Sequence, residues 1–387
     1  MQNKNTPIII AICLLAIFNS CINTKPYSVN QEKYLGLQTN SSDIYINKQS
    51  SSFYSPFNIN INLMDRLMLI DFEGDSLYET IELQVYNDFR GKGATVILYG
   101  KNGENDVYYT NSVFVNGGLF KGHIYENKEI KYVLNVSKNS LDANVELKDK
   151  FGRNISAIIK EGQNTNNPSS FLAPIGGIIK TFSFFPLFYM EKFNFVIHAG
   201  TIITIKIDNN ILKPKKIPIL LNGSFVYLSR YSNEPVISSI NDKYDGDLKP
   251  MVPTQKDRFI DGNMTYEITL NNSHYEIKRA VCSNSRNKVA ISFSPAIPDL
   301  INLKQNITLN GKFSMETDSV TGIVAGVYQI SRTTDKIEIT MNPTKAYSPM
   351  TGKLWVLSFK WNANITIGSS GSVNMNSKWD NIENKIN

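Results

Sequence analysis

The sequence predicts an all-β protein made of two antiparallel β domains, and three observations carry that expectation. Val, Ile, Thr, Tyr and Phe alternate with polar residues through most of the 387-residue chain, the period-two pattern of strands that turn one face to a core. Gly, Asn or Asp breaks the alternation every ~8–12 residues. No stretch repeats apolar side chains at the ~3.6-residue period of a helix.

The N-terminus stands apart from that pattern. One lysine, Lys4, precedes an apolar run from Pro7 to Phe18, which is shorter than the ~20 residues a helix needs to span a bilayer. A charged start, a short apolar stretch and a small residue, Ser20, give residues 1–20 the form of a secretory signal peptide. Cys21, directly after Ser20, resembles the lipobox of bacterial lipoproteins, although Phe18 and Asn19 depart from the usual Leu-Ala-Gly type of box. That resemblance implies cleavage before Cys21, acylation of its thiol, and a working protein in the cell envelope anchored to a membrane by lipid. A plain signal peptide with an incidental cysteine is the alternative. Acyl chains contribute ~0.8 kcal/mol per buried methylene, and two of them suffice for stable anchoring. Residues 21–52 then read as lipid anchor and tether, because Gln38-Thr-Asn-Ser-Ser42 and Lys48-Gln-Ser-Ser-Ser52 are polar and unpatterned.

Cysteine and charge exclude some classes. Of three cysteines, Cys13 falls in the signal and Cys21 goes to lipid, so Cys282 has no internal partner and is expected as a small buried hydrophobe. A hydrophobic content of 42% lets a chain of this length build its core without disulfides. The net charge of +6 comes from 40 basic against 34 acidic residues scattered along the chain, with Lys213-Pro-Lys-Lys216 the longest basic block. A nucleic-acid reader concentrates its basic residues on one face, so no nucleic acid is expected; the charge reads as a solvated surface, with mild attraction to an anionic membrane surface as the alternative. The Asn-x-Ser/Thr triplets, at Asn135 and Asn263 among others, are products of an asparagine-rich composition.

The first β domain is expected over residues 53–240. In Thr80-Ile-Glu-Leu-Gln-Val-Tyr86 the alternation puts Ile81, Leu83 and Val85 on one face, and Thr95-Val-Ile-Leu-Tyr99 follows after a glycine turn. Tyr132–Val136, Ala143–Leu147, Asn154–Ile159 and Ile202–Ile207 continue the series. The Pro- and Asp-rich stretch from Asn241 to Pro253 interrupts it for longer than a hairpin loop does, so residues 241–262 read as a linker. The second β domain is expected over residues 263–367, from Thr265–Leu270 to the strand in which Trp355, Leu357, Phe359 and Trp361 share a face. Residues 368–387 read as a polar tail without regular structure. Sheets of this size close into barrels or double into sandwiches, since a long exposed edge invites pairing with another chain.

The pair Tyr78–Asp88 and Ala94–Tyr99 resembles the opening hairpin of the carotenoid hydratase and tocopherol cyclase family, whose members join two lipocalin-like barrels. That family shows an acidic residue, two tryptophans and an aromatic at the start of the strand. Here Glu79 matches, while Thr80 and Ile81 stand in the tryptophan places, so no catalytic residue is carried over.

Candidate sites are few. The carboxylates of Asp71-Phe-Glu-Gly-Asp75 through Glu82 resemble a calcium loop, but the glycine stands at the fourth position where the sharp turn needs the sixth; an acidic turn leading into a strand is the favoured reading. Asp242, Asp245 and Asp247 form a second acidic cluster of the same kind. His123, His198 and His274 are far apart, in no metal-ligand spacing, and are expected as partly exposed strand residues. Nucleophile elbows and phosphate loops are absent from the sequence. No metal and no cofactor are expected. The most unusual segment, Phe182-Ser-Phe-Phe-Pro-Leu-Phe-Tyr-Met190, places five aromatics in nine positions. It reads either as a core crossing or plug, or as an apolar rim over a ligand pocket lined by Phe182, Phe184, Phe185, Phe188 and Tyr189.

The leading expectation is an exported, membrane-anchored lipoprotein that binds a hydrophobic or amphipathic small molecule. A surface interaction or adhesion protein with no pocket is the first alternative; a lipocalin-like cyclase or hydratase, or a glycosidase, is the second. Peptide mass spectrometry of the protein from its own envelope should show a diacylglyceryl mass on an N-terminal Cys21. An N-terminal peptide without lipid would reduce the chain to an exported protein without an anchor.

Overall fold

The structure, a computed structural model, describes residues 44–46, 49–62, 64–88, 91–114, 122–137, 140–164, 166–172, 185–221, 223–253, 255, 257–317, 323–345, 359–369 and 371–381. For residues 62, 88, 114, 122, 169–172, 185–189, 219, 345 and 381 it describes the backbone alone. Cys21, Phe182 and Phe184 lie outside the described residues, as do Trp355 and Leu357; Phe185, Phe188 and Tyr189 are placed by backbone within a strand.

The protein is all β. Its strands begin with β1 (Ile59–Asn62), β2 (Met64–Glu73), β3 (Tyr78–Asp88), β4 (Gly91–Gly100) and β5 (Asn105–Tyr109). Next come β6 (Gly122–Glu126), β7 (Lys131–Val136), β8 (Leu141–Lys148), β9 (Asn154–Glu161) and β10 (Ser169–Leu172). Then follow β11 (Phe185–Ile197), β12 (Ile202–Ile207), β13 (Asn210–Pro214), β14 (Lys216–Leu221) and β15 (Ser224–Ile240). The last ten are β16 (Tyr244–Asp247), β17 (Arg258–Asp261), β18 (Met264–Asn271), β19 (His274–Ser283), β20 (Lys288–Ile297), β21 (Ile307–Thr317), β22 (Ile323–Arg332), β23 (Lys336–Lys345), β24 (Phe359–Ile367) and β25 (Val373–Asn381). They form a 15-stranded and a 10-stranded sheet, one of which curls into a half-barrel. The described pairs are antiparallel except β5 with β6.

The chain divides into two compact units: Asn62–Phe171 and Tyr189–Val236 belong to the first, while the described residues up to Ile61, those of 172–188, and Ile237 onward belong to the second. In the first unit the strands run in the order β6-β5-β4-β3-β2-β13-β12-β9-β8-β7. Two residue pairs alone, Glu73 with Lys213 and Phe72 with Pro214, join β2 to β13. The β2–β5 arm and the β7–β9 and β12 arm put their apolar faces into one core, with Met68, Ile81, Leu83, Val96 and Leu98 clustered with Leu134, Val145, Ala157, Ile159 and Ile205. The alternation read in Thr80–Tyr86 supplies the first of these faces. The middle of β2 also pairs with β15, Leu69 opposite Arg230 and Leu67 opposite Ser232.

The second unit is a meander. From β17 to β25 each strand pairs with its neighbours in sequence, and β16 closes the row beside β25. Its interior is filled by the chain that precedes β1. Phe57 lies 4.6 Å from the ring of Phe293 and 5.7 Å from that of Trp361. Phe53 packs edge-on against Phe259 and Tyr266, and the Tyr266 hydroxyl donates to the Phe57 carbonyl at 3.1 Å. Glycine is required at Gly326, where a Cβ would stand 2.2 Å from the Asn342 carbonyl oxygen and 2.6 Å from the Phe313 ring.

Four boundary expectations need correction. Residues 53–61 belong to the second unit, because Phe53 and Phe57 bury their rings in it. The end of the segment read as a tether is docked there too: Tyr45 bridges to Leu303, and Ile44 and Tyr45 are buried. The stretch read as a linker contains β16 and β17, the two edges of the 10-stranded sheet; short, charged strands suit an edge. Beyond Gly368 the chain forms β25, whose Val373, Met375, Ser377 and Trp379 turn inward.

Replacing Phe57 by alanine should cost ~3–5 kcal/mol, the range for deleting a fully packed aromatic ring. Urea unfolding measures it, and a loss under about 1 kcal/mol would show that the ring is not part of the core.

Candidate functional site

Strands β2–β5 are buried on both faces, and the face turned away from the core is polar. The register sets its side chains in rows across the sheet. One row runs Arg230, Leu69, Glu82, Ile97, Val107. On either side lie Ser232, Leu67, Gln84, Thr95 and the row Asp71, Thr80, Tyr99, Asn105. Leu67, Ile97 and Val107 are buried in this face, as are Glu82, Gln84, Thr80 and Asp71.

A hydrogen-bonded chain crosses it. Gln84 Nε2 donates to Glu82 Oε1 at 2.5 Å, the Tyr86 hydroxyl donates to Gln84 Oε1 at 2.7 Å, and the Tyr99 hydroxyl donates to Glu82 Oε2. Beside them Thr80 Oγ1 donates to Asp71 Oδ1 at 2.7 Å, and Arg230 pairs with Asp71 Oδ2. Burial pushes the Glu82 carboxyl above its ordinary range, against the opposing hydrogen bonds of Tyr99 and Gln84 and the more distant charge of Arg230. Burial, and then the Glu82 charge, hold the Tyr99 phenol well above its usual value. Two polar atoms of this face, Thr95 Oγ1 and Asn105 Nδ2, find no partner among the described residues, although each residue is only 2% exposed. Leu67, Ile97 and Val107 beside a carboxyl, an amide and two further polar groups give this face the mixed apolar and polar character that an amphipathic molecule would match.

The acidic residues singled out in the sequence are divided between different partners. Asp75 Oδ2 accepts the backbone N–H groups of Leu77 and Tyr78, each at 2.8 Å, and its Oδ1 takes Arg153 Nη1 at 2.9 Å. Burial alone would raise Asp75; the Tyr78 and Leu77 N–H groups and Arg153 outweigh it and hold the carboxyl below its ordinary value. Arg153 Nε also binds Asp149 at 2.8 Å, and Asp106 receives the Tyr78 hydroxyl at 2.6 Å and Lys150 Nζ at 3.0 Å. Asp242 accepts from Asn60 at 3.0 Å, whereas Asp245 and Asp247 lie exposed on β16. Among the described residues no three His, Cys, Asp or Glu side chains converge as a metal site would require.

His123 and His198 are exposed, but His274 is not. It is 0% exposed, with Nδ1 3.0 Å from Asp299 Oδ2 and its ring stacked on Tyr45 at 3.9 Å. Asn302 donates to the same Asp299 oxygen at 2.7 Å, and Glu276 receives the Tyr45 hydroxyl and, at 2.8 Å, the Asn271 amide. Each polar residue of this cluster is locked to another beneath Tyr45, which suits a structural staple. Cys282 is buried, and burial pushes its thiol up to about 11, so it is unreactive.

The β3–β4 hairpin does form. Thr80 is spent on Asp71, Ile81 is in the core, and Glu79 is half-buried, 3.4 Å from Lys215 Nζ. Among the described residues no helix is long and apolar enough to cross a membrane. Comparison with known proteins finds no family model, no curated protein and no solved structure that matches the chain.

The raised Glu82 carboxyl fixes a sign for pH dependence. Its folded pKa lies above the unfolded value, so its stabilising contribution is complete below the ordinary glutamate range and is lost as pH rises through the folded value. As pH rises from below the ordinary glutamate range, the wild type should therefore lose stability relative to Glu82→Gln, whose side chain stays neutral. Parallel urea-unfolding curves for the two proteins would place Glu82 in contact with water.

Proposed function

We propose that this chain is an exported, membrane-anchored lipoprotein that binds an amphipathic small molecule on the second face of β2–β5. The observation that carries the reading is the pair Thr95 Oγ1 and Asn105 Nδ2, both buried and, among the described residues, both without a hydrogen-bond partner. A buried, unused polar group costs ~1–3 kcal/mol, a cost that a bound ligand removes. Leu67, Ile97 and Val107 supply the apolar contact, and Phe182, Phe184, Phe185, Phe188 and Tyr189 are the rim that the sequence alone offers. Anchoring through Cys21 would hold this face at a membrane, where amphipathic molecules are concentrated.

One observation favours a second reading for the other half of the chain. Phe53, Phe57, Phe293 and Trp361 are packed into the interior of the second unit, so a role for this unit would rest on its outer surface, as in a surface interaction protein without a pocket.

Native mass spectrometry of the mature protein in gentle detergent tests the ligand. A bound mass that leaves on organic extraction is expected. Thr95→Val should weaken its retention about fivefold, the value of one hydrogen bond, and the double variant Phe184→Ala/Phe188→Ala should weaken it further. Equal retention by all three proteins, or no bound mass in the wild type, would sink this assignment.

A further inference from the structure

The β14–β15 hairpin presents an apolar tip in front of a basic shoulder. Leu220 and Phe225 are direct cross-strand partners on either side of its turn, and they are 52% and 56% exposed. Gly223 in the turn takes a φ of 81°, a conformation glycine adopts without cost. Pro218 beside them is exposed as well. Ile202, 63% exposed, begins β12 after the turn that contains His198.

The shoulder is tied to the tip by hydrogen bonds. The His198 backbone N–H donates to the Phe225 carbonyl at 2.8 Å, and Lys216 Nζ lies 2.8 Å from His198 Nε2 and 5.6 Å from the centre of the Tyr227 ring. Residues 196–233 hold five basic residues, Lys206, Lys213, Lys215, Lys216 and Arg230, against one acid, Asp208; five less one gives four of the chain's net six positive charges. Lys215 is paired with Glu79 and Arg230 with Asp71, and Lys213 stands opposite Glu73, which leaves Lys216 as the exposed lysine behind the tip and Lys206 further back on β12. The basic block Lys213-Pro-Lys-Lys216 is therefore a local feature of one hairpin and its neighbour strand.

We propose that this tip docks on an anionic lipid surface, with Leu220 and Phe225 entering the boundary between headgroups and acyl chains and Lys216 and His198 meeting phosphates. The dimensions fit. Lys216 pairs with Tyr227, two residues from Phe225, so the charge stands ~7 Å behind the apolar tip. Interfacial elements bury their apolar side ~5–10 Å deep. Lysines near an anionic leaflet add attraction that salt screens within a Debye length of ~8–10 Å. A protein partner would also accept an apolar tip, but an exposed lysine directly behind it, within a region of net positive charge, is matched by a surface of uniform negative charge. The proposal does not depend on lipid at Cys21 or on a bound small molecule, and its test removes the lipid.

The mature chain carrying Cys21→Ser, which cannot be acylated, is sedimented with vesicles of phosphatidylcholine alone and of phosphatidylcholine with phosphatidylglycerol. Binding to the phosphatidylglycerol vesicles that weakens with added salt is expected, with little binding to phosphatidylcholine alone. Leu220→Ser/Phe225→Ser should raise the lipid concentration needed for half-binding roughly a hundredfold, the transfer of two large apolar side chains. Lys216→Glu should weaken binding to the anionic vesicles and leave the weak binding to phosphatidylcholine unchanged. All of these side chains are exposed, so the melting temperature of each variant should match the parent and confirm its fold. Failure of the parent to bind anionic vesicles, or equal binding by the double variant, would overturn the proposal. Loss of self-association in the double variant without any vesicle binding would instead assign the tip to a protein contact and overturn it as well.

Discussion

A strand buried on both faces must satisfy on one face every polar group that it withdraws from water, and strands β2–β4 are placed under that constraint. Their core face is a conventional apolar cluster. Their second face holds Asp71, Thr80, Glu82 and Gln84, all buried, and the register aligns these side chains so that they meet one another across strands. The arrangement of the first unit follows: β15 approaches β2 with Arg230 opposite Leu69, within reach of Asp71, and β4 supplies Tyr99 to Glu82. A buried carboxylate without such partners would cost several kcal/mol.

Two carboxyls show how the balance is struck. Asp75 and Glu82 both lose water, yet their protonation equilibria move in opposite directions. Asp75 gains two backbone N–H donors and a guanidinium at 2.8–2.9 Å, and hydrogen bonds to a charged group contribute ~1.5–3 kcal/mol each. Glu82 has only the neutral donors of Gln84 and Tyr99, so burial prevails. The first is a fastening at the end of the sheet, with Arg153 joining it to Asp149. The second is a carboxyl that burial makes easier to protonate, in a face where Thr95 and Asn105 have no partner for one polar atom each among the described residues.

The fold class was legible because alternation at period two survives in Ile81, Leu83 and Val85 and in most later strands. The polar half of the same alternation was not. Glu82 and Gln84 read alike whether their face meets water or protein, since sequence records which residues alternate and not what covers them. The same ambiguity hid β25: its inward residues include Ser377 between Met375 and Trp379, and the outward Asn374, Asn376, Lys378 and Asp380 gave the stretch the composition of a tail. β16 was missed because Asp245 and Asp247, outward on an edge strand, look the same as a turn. His274 gave no signal at all, because its partner Asp299 lies 25 residues away and Tyr45 comes from the far end of the chain. The basic block at Lys213–Lys216 was visible, but the exposed Leu220 and Phe225 became meaningful only once pairing placed them on one tip.

The way the second unit is filled also fixes an order of events during synthesis. In a meander, strands can pair as soon as their neighbours emerge, and such local contacts form fast. Phe53 and Phe57, which occupy the interior, are made before any of the strands around them, while Trp361 and Trp379 come last. The plug must therefore stay solvated, or be held by another protein, for as long as most of the chain takes to appear, and its burial closes a loop of about 300 residues at an entropy cost that local pairing avoids. Phe53 can meet Phe259 and Tyr266, and Phe57 can meet Phe293, before β24 is made, but a chain truncated there would leave Phe57 without the Trp361 ring that completes its packing.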